Sequence, residues 1–151
     1  MRSAQQWLDA YGESHQNPTN KLIHWVCIPW IVISIFGLLA ALPSPFEVSW
    51  MHWGTVLAAA GVGYYAMISI PLAVGMAVVS TLMLVVVGGL ARLPAPLWLS
   101  SAVIFVLAWI VQFIGHKIEG KKPSFFEDLQ FLMIGPMWLL AAIYRRIGIA
   151  Y

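Results

Sequence analysis

Charge is scarce in this sequence, and disulfide bonds are excluded. Only 9% of the 151 residues are Asp, Glu, Lys or Arg, and the formal net charge is +2. This small charge, which is concentrated at a few places, argues against a nucleic-acid-binding protein. Cys27 is the only cysteine, so no disulfide can form within the chain and the redox compartment is unconstrained. The first twenty residues are polar, and no cleavable signal peptide is expected from them.

Apolar residues dominate what remains, at 61% of the chain with a mean hydropathy of +0.83. They occur in long blocks, several close to the roughly 20 residues that cross a bilayer. The sequence therefore predicts a single all-α domain over residues 1–151, an integral, multi-pass membrane four-helix bundle. The four predicted spans cover about 21–42, 54–70, 72–90 and 97–115.

A short amphipathic helix is predicted before the first span, over Ser3 to Ser14. Ser3 and Gln6 have the spacing of a capping box, and Trp7, Leu8 and Tyr11 give the helix an apolar face. Such a helix is expected to lie along the membrane surface. A turn follows, in which Thr19 or Asn20 can cap the first span.

The C-terminal segment is predicted to be an interfacial or partly inserted helical hairpin. Residues 124–132 could begin an amphipathic helix, and the apolar run over residues 131–143 is too short to span comfortably. Gly135-Pro136 is expected to interrupt that run, because proline breaks the hydrogen-bond ladder of a helix.

Four spans would return the chain to the side on which it started, and this brings three histidines to one interface. His15, His24 and His116 lie near that side, whereas His52 falls in a loop roughly 30 Å away across the hydrocarbon. The positive-inside rule assigns the shared side to the cytoplasm. The basic residues on it are Arg2, Lys21, Lys117, Lys121, Lys122, Arg145 and Arg146.

Amides and a carboxylate accompany these histidines at helical spacing. Asn20 precedes His24 by four residues, as Gln112 precedes His116, so each amide could orient the ring one turn away. Glu119 follows His116 on the same helix face. Three histidines and a carboxylate resemble the ligand sets of zinc and non-heme iron sites. Polar contacts between helices are the alternative, and the pattern alone leaves both open.

At these residues the chain resembles the Mpo-like family, whose characterised members are iron(II)-dependent 2-hydroxy fatty acid dioxygenases. The likeness extends over nearly the whole chain, and two stretches carry it. They are Tyr11-x3-His15-x4-Asn20-x3-His24, followed by Ile28-Pro29, and Gln112-Phe-Ile-Gly-His116 with Glu119 and Pro123.

The resemblance implies that His15, His24 and His116 bind Fe(II), with O2 as co-substrate. The expected reaction shortens a 2-hydroxy fatty acid by one carbon, on the cytoplasmic side of the membrane. Asn20, Gln112 and Glu119 would be catalytic residues around the metal. In the family the acidic residue often follows the histidine by four positions rather than three. Glu119 is therefore expected to orient the site or pair with a lysine rather than to bind the metal.

Three lysines follow the second histidine stretch, and we expect Lys117, Lys121 or Lys122 to attract the substrate carboxylate. A solvated position facing lipid headgroups is the alternative for each of them. The partners implied are the 2-hydroxy fatty acid and membrane lipids, without nucleic acid. The sequence also allows a homo-oligomer.

Two other functions remain open on the sequence alone. One is a zinc-dependent membrane hydrolase, in which the metal activates a water and Glu119 is the general base. The other is a non-catalytic membrane module that binds haem or lipid. A transporter is disfavoured, because no inner span carries a charged residue near its midpoint.

Overall fold

The computed structural model describes residues 3–48, 50–122 and 130–151, and these residues form six α-helices and no β-strand. The prediction of an all-α protein is confirmed. Three of these helices are long and apolar enough to cross a membrane, namely α2, α4 and α5. The helices are α1 Ala4–Gly12, α2 Pro18–Ala40, α3 Trp53–Ala66, α4 Ile70–Leu90, α5 Leu97–Glu119 and α6 Phe131–Ile147.

Helix α3 differs from the span predicted over 54–70. It has 14 residues and so rises about 21 Å, short of the roughly 30 Å of a hydrocarbon core. The chain turns after Ala66, and the Ser69 side chain accepts from Leu72 N to cap α4. The sequence suggested a longer helix because Met67 and Ile68, in this turn, continue the apolar run.

The cap of α2 also differs from the prediction. Asn17 is the N-cap, and its Oδ1 accepts hydrogen bonds from the backbone N–H groups of Thr19 and Asn20. Pro18 then occupies the first turn, where its missing N–H costs nothing and its fixed φ favours the helix. The predicted capping box of α1 between Ser3 and Gln6 is present.

Helix α6 runs continuously through Gly135-Pro136, so the predicted interruption is wrong. Proline removes one helical hydrogen bond, but α6 packs against α1, α2 and α4, which together compensate for that loss. The preceding arm of the predicted hairpin falls mainly on residues 124–129, outside the described residues.

The apolar face of α1 packs inward against α6. Trp7, Leu8 and Tyr11 are buried there in one core cluster with residues of α3, α4 and α6. A second core cluster, the lower cluster, lies near the other end of α2. It consists of Ile33, Phe36, Ala58, Met83 and Val87.

Helices α2 and α5 pack closely because small residues line their contact. A Cβ atom on Gly115 would lie 2.6 Å from Asn20 Oδ1, and one on Gly37 would meet the Ser101 side chain. Without these glycines the two backbones could not approach so closely. This contact sets the beginning of α2 beside the end of α5.

Candidate metal centre

Three histidine rings meet where α2, α5 and the α1–α2 turn come together. His15 lies in that turn, His24 in the second turn of α2 and His116 in the last turn of α5. His24 Nε2 is 3.0 Å from His15 Nε2 and 3.2 Å from His116 Nε2. All three side chains are at most 4% exposed. The three histidines expected to share one interface are thus in direct contact.

The hydrogen bonds of Nδ1 in His15 and His24 show which ring nitrogen carries the proton. His15 Nδ1 is 2.6 Å from the Tyr11 carbonyl, and His24 Nδ1 is 2.9 Å from the Asn20 carbonyl. A carbonyl only accepts, so each Nδ1 carries hydrogen and each neutral ring presents a lone pair at Nε2. Those two lone pairs face each other across 3.0 Å. Such an arrangement is unfavourable unless a cation lies between them.

The spacing of the nitrogens fits one metal ion. Metal–imidazole bonds are about 2.1 Å long, so two ligand nitrogens at right angles around an ion lie about 3.0 Å apart. Imidazole is a ligand of both zinc and iron. Within the described residues, the group of side chains whose ligand atoms lie within 4.8 Å of one another contains these three histidines and no carboxylate.

The electrostatics of His15 favour its neutral, ligand-competent form. Burial lowers the pKa of His15, although the Tyr11 carbonyl and Glu119 act in the opposite direction. The Tyr11 ring stacks on the imidazole, with centroids 4.1 Å apart and planes 10° from parallel. This stacking and the bond to the Tyr11 carbonyl fix the orientation of the ring.

Glu119 lies beside the histidine group and fastens the α1–α2 turn to α5. Its Oε1 accepts from Gln16 N at 2.8 Å, and its Oε2 accepts from Asn17 N and Asn20 Nδ2, both at 2.9 Å. Both carboxylate oxygens therefore already have donors. The geometry gives Glu119 a clear part in placing His15 and the start of α2.

The two amides expected beside the histidines have different surroundings. Asn20 is fully buried, and its Nδ2 turns to Glu119, so His24 contacts the Asn20 carbonyl instead of the predicted side-chain amide. Gln112 is buried on the His116 face of α5. Within the described residues, Gln112 Oε1 and His116 Nδ1 have no hydrogen-bond partner.

The remaining predicted residues are three lysines and the fourth histidine. Lys117, Lys121 and Lys122 are exposed, and Lys121 Nζ donates to the Glu13 carbonyl at 2.8 Å. His52 is the N-cap of α3, where its Nδ1 accepts from Thr55 N. A structural role thus accounts for the fourth histidine.

An apolar cavity of about 230 Å³ begins at the histidines and continues between the helices. Tyr11, His15, Gln112 and His116 line one end. The walls further along come from α2, α3, α4, α5 and α6 and are mainly apolar, and they reach Phe36 and Ala58. The sequence did not reveal this cavity, because its lining has the same apolar composition as a packed core.

A second, polar crevice reaches His15 from another side. The described residues that line it include two basic residues, Lys21 and Arg145, and two acidic residues, Asp9 and Glu13. None of the three lysines expected to attract the substrate appears among the described walls of either cavity. Lys21 was known from the sequence only as one basic residue among several.

The chain is similar to a known family along almost all of its length. A family model described as "2-hydroxy-palmitic acid dioxygenase Mpo1-like" matches residues 1–147. No curated protein and no solved structure gives a significant match.

Proposed function

The chain belongs to the Mpo1-like family, and on this basis we propose that it is an Fe(II)-dependent dioxygenase of 2-hydroxy fatty acids. The family name points to this class of activity. The single observation that carries the proposal is the pair of Nε2 lone pairs that face each other at 3.0 Å, with His116 Nε2 beside them. His15, His24 and His116 would hold the iron.

The proposed reaction balances without an external reductant. A 2-hydroxy acid and O2 yield the acid one carbon shorter, CO2 and water, so the substrate itself supplies the electrons that reduce O2. The bond between C1 and C2 breaks, and C2 becomes the new carboxyl carbon. Bound Fe(II) would supply the redox chemistry and a chelation site for the hydroxyl and carboxylate groups of the substrate.

The protein's own residues supply orientation and a water-poor environment. The carbonyls of Tyr11 and Asn20 bind Nδ1 of two rings and so leave their Nε2 atoms free to hold the ion, and such partners tune a metal site. Glu119 holds the segment between those rings through Gln16 and Asn17. Gln112 lies one turn from His116, where its Oε1, which has no partner among the described residues, would accept from His116 Nδ1 to orient that ring.

The substrate carboxylate requires positive charge near the histidines. Lys21 and Arg145 line the polar crevice that reaches His15, which supports them as the groups that attract it. The predicted alternative, Lys117, Lys121 or Lys122, places the charge on the exposed end of α5. Lys121 already bonds the Glu13 carbonyl, so it is better suited to tying the α1–α2 turn to α5.

We propose that the metal centre lies at the cytoplasmic interface of an integral membrane protein. Three candidate spans support membrane insertion, and the basic residues at the histidine end of the bundle support the cytoplasmic side. The short helix α3 would then complete a four-helix arrangement without itself matching the full hydrocarbon thickness. A lipid substrate can reach such a site without leaving the membrane.

Anaerobic purification followed by metal analysis and O2 uptake tests the function. We expect bound iron, and O2 consumption that depends on 2-hydroxypalmitic acid and yields the acid one carbon shorter with CO2. Unsubstituted palmitic acid is the matched control and should give no uptake. Zinc in place of iron with hydrolytic activity, a haem Soret band, or iron without turnover of any 2-hydroxy acid would each contradict the proposal.

A further inference from the structure

The apolar cavity has two chemically different ends. Its polar end is formed by Tyr11, His15, Gln112 and His116, and the other described walls are apolar apart from Ser80, the Tyr65 hydroxyl and the Trp109 indole N–H. The residues of α2 that line the cavity extend from Ile28 to Phe36, a rise of about 12 Å at 1.5 Å per residue. The space between these ends is therefore long and mainly apolar, with most of its polar groups at the metal centre.

The end away from the metal is closed by the lower cluster. Phe36 and Ala58 line the cavity and also belong to that cluster, whose other members Met83 and Val87 do not line the cavity. A Cβ on Gly54 would lie 2.6 Å from the Phe36 carbonyl, which shows how closely α3 begins beside this part of α2. Phe36 is 4% exposed and Ala58 is 7% exposed, so both side chains are packed within the protein.

We propose that this cavity holds the alkyl tail of the substrate and that Phe36 and Ala58 set the longest tail it accepts. The proposal rests on the function proposed above, because a head group held at the histidines directs the tail along the cavity. The occupant is a single straight alkyl chain. An unbranched chain suits a narrow space between packed helices whose walls offer methyl and methylene groups.

A length series of ligands has a characteristic signature if the tail is enclosed. Each methylene transferred from water to the cavity should tighten binding about fourfold, since its burial is worth about 0.8 kcal/mol. The gain should stop once the tail reaches Phe36 and Ala58, because interiors are close-packed and admit no further carbon without rearrangement.

Ala58→Leu should move this limit to shorter tails. Leucine adds three carbons to the wall, so the limit should fall by roughly two or three methylenes if the added volume displaces tail carbons. Ligands shorter than the new limit should bind as they do to the unchanged protein. Ala59→Leu is the matched control, because Ala59 is exposed and does not line the cavity. Phe36→Leu should move the limit the other way.

The measurement is competition of saturated fatty acids of increasing length against a fluorescent fatty acid, on the iron-loaded full chain in detergent without O2. Ala58→Val and Phe36→Leu provide milder changes if Ala58→Leu does not fold. Binding that tightens without limit, equal limits in all variants, or weaker binding at every length in Ala58→Leu would overturn the proposal.

Turnover of the matching 2-hydroxy acids on the iron-loaded protein separates this inference from the proposed function. A shifted length limit in binding, with no oxidation of any 2-hydroxy acid, would retain the tail cavity and reject the dioxygenase. Oxidation with an unshifted limit would retain the dioxygenase and reject the role of Phe36 and Ala58. Failure of the unchanged protein to bind any fatty acid would overturn the tail cavity, and only a failure to oxidise any 2-hydroxy acid as well would overturn both proposals.

Discussion

The Asn20 side chain donates to Glu119 Oε2 at 2.9 Å, and this bond joins the start of α2 to the end of α5, 99 residues later. Asn20 also presents its carbonyl to His24 Nδ1. One residue thus connects the carboxylate to the ring of a proposed ligand. The same carboxylate accepts hydrogen bonds from the backbone N–H groups of Gln16 and Asn17, which directly follow His15.

Glu119→Gln should keep iron in the site and lower turnover. An amide in place of the carboxylate puts an NH2 group against N–H donors, so the turn that carries His15 should loosen. Loss of such a supporting partner typically costs 10- to 100-fold in affinity or activity. Iron content and O2 uptake, measured on the same preparation, check this result. Glu47→Gln is the matched control, since Glu47 is exposed in the loop between α2 and α3, and an iron-free but folded Glu119→Gln protein would make Glu119 a ligand instead.

Asn20→Ala should weaken the enzyme without abolishing it, and its effect should not add to that of Glu119→Gln. Groups that share a hydrogen bond are energetically coupled, whereas sites more than about 10 Å apart usually act independently. Gln112 and Glu119 are separated by about 10.5 Å along α5, so Gln112→Ala should weaken the enzyme additively with Glu119→Gln. Iron affinities of the single and double variants complete a double-mutant cycle for each pair, Asn20 with Glu119 and Gln112 with Glu119. Additive losses for Asn20 and Glu119 would show that their contact does not support the metal.

Some features of the fold could be predicted from patterns within a few neighbouring residues. The Ser3 and Gln6 pair forms the predicted capping box of α1, because this effect depends on a few neighbouring residues. The continuity of α6 through Pro136 could not be deduced in this way. It depends on packing against three other helices, and tertiary contacts of that kind are not encoded in a window of sequence.

The sequence predicted which histidines form the candidate site, but it did not predict the hydrogen bonds and cations around them. The helical spacing and the side of each chain segment predicted that His15, His24 and His116 share an interface. His24 bonds to the Asn20 carbonyl because the Asn20 side-chain amide bonds to Glu119 instead. That second contact joins distant segments of the chain. Lys21 and Arg145 became candidates only when the fold placed them beside His15.

Each of His15→Ala, His24→Ala and His116→Ala should lose bound iron and activity. Every one of these changes removes one of the three nitrogens that converge. His52→Ala is the control and should keep both, because His52 caps α3 in a different part of the fold. Loss of an N-cap typically costs about 1 kcal/mol, so a modest loss of stability is expected there. Metal analysis of the four purified variants decides the matter, and an iron-free, folded His52→Ala protein would contradict the assignment.

Lys21→Met should raise KM for a 2-hydroxy fatty acid more than Lys117→Met or Lys122→Met does. Lys21 lines the crevice that reaches His15, whereas the other two lysines are exposed at the end of α5. Methionine keeps much of the apolar length of lysine while removing its charge. Steady-state kinetics at two salt concentrations check the result, since charge attraction is screened by salt. A larger effect at Lys117 or Lys122 would favour the position expected from the sequence.

Single cysteines introduced at Ser3 and Lys122 should be labelled from the same side of the membrane. The Lys121 side chain reaches the Glu13 carbonyl, so the segment after α1 and the end of α5 lie together at one end of the bundle. A cysteine at Arg92, in the loop between α4 and α5, should be labelled from the opposite side, because α5 is long enough to cross.

The background would carry Cys27→Ala, which removes the one native, buried thiol. Labelling of intact cells or sealed vesicles with a membrane-impermeant thiol reagent reports the sides. Labels at Ser3 and Lys122 from opposite sides would exclude a metal centre built from both α2 and α5 at one interface, whereas labels outside for both would keep the centre and reverse its orientation.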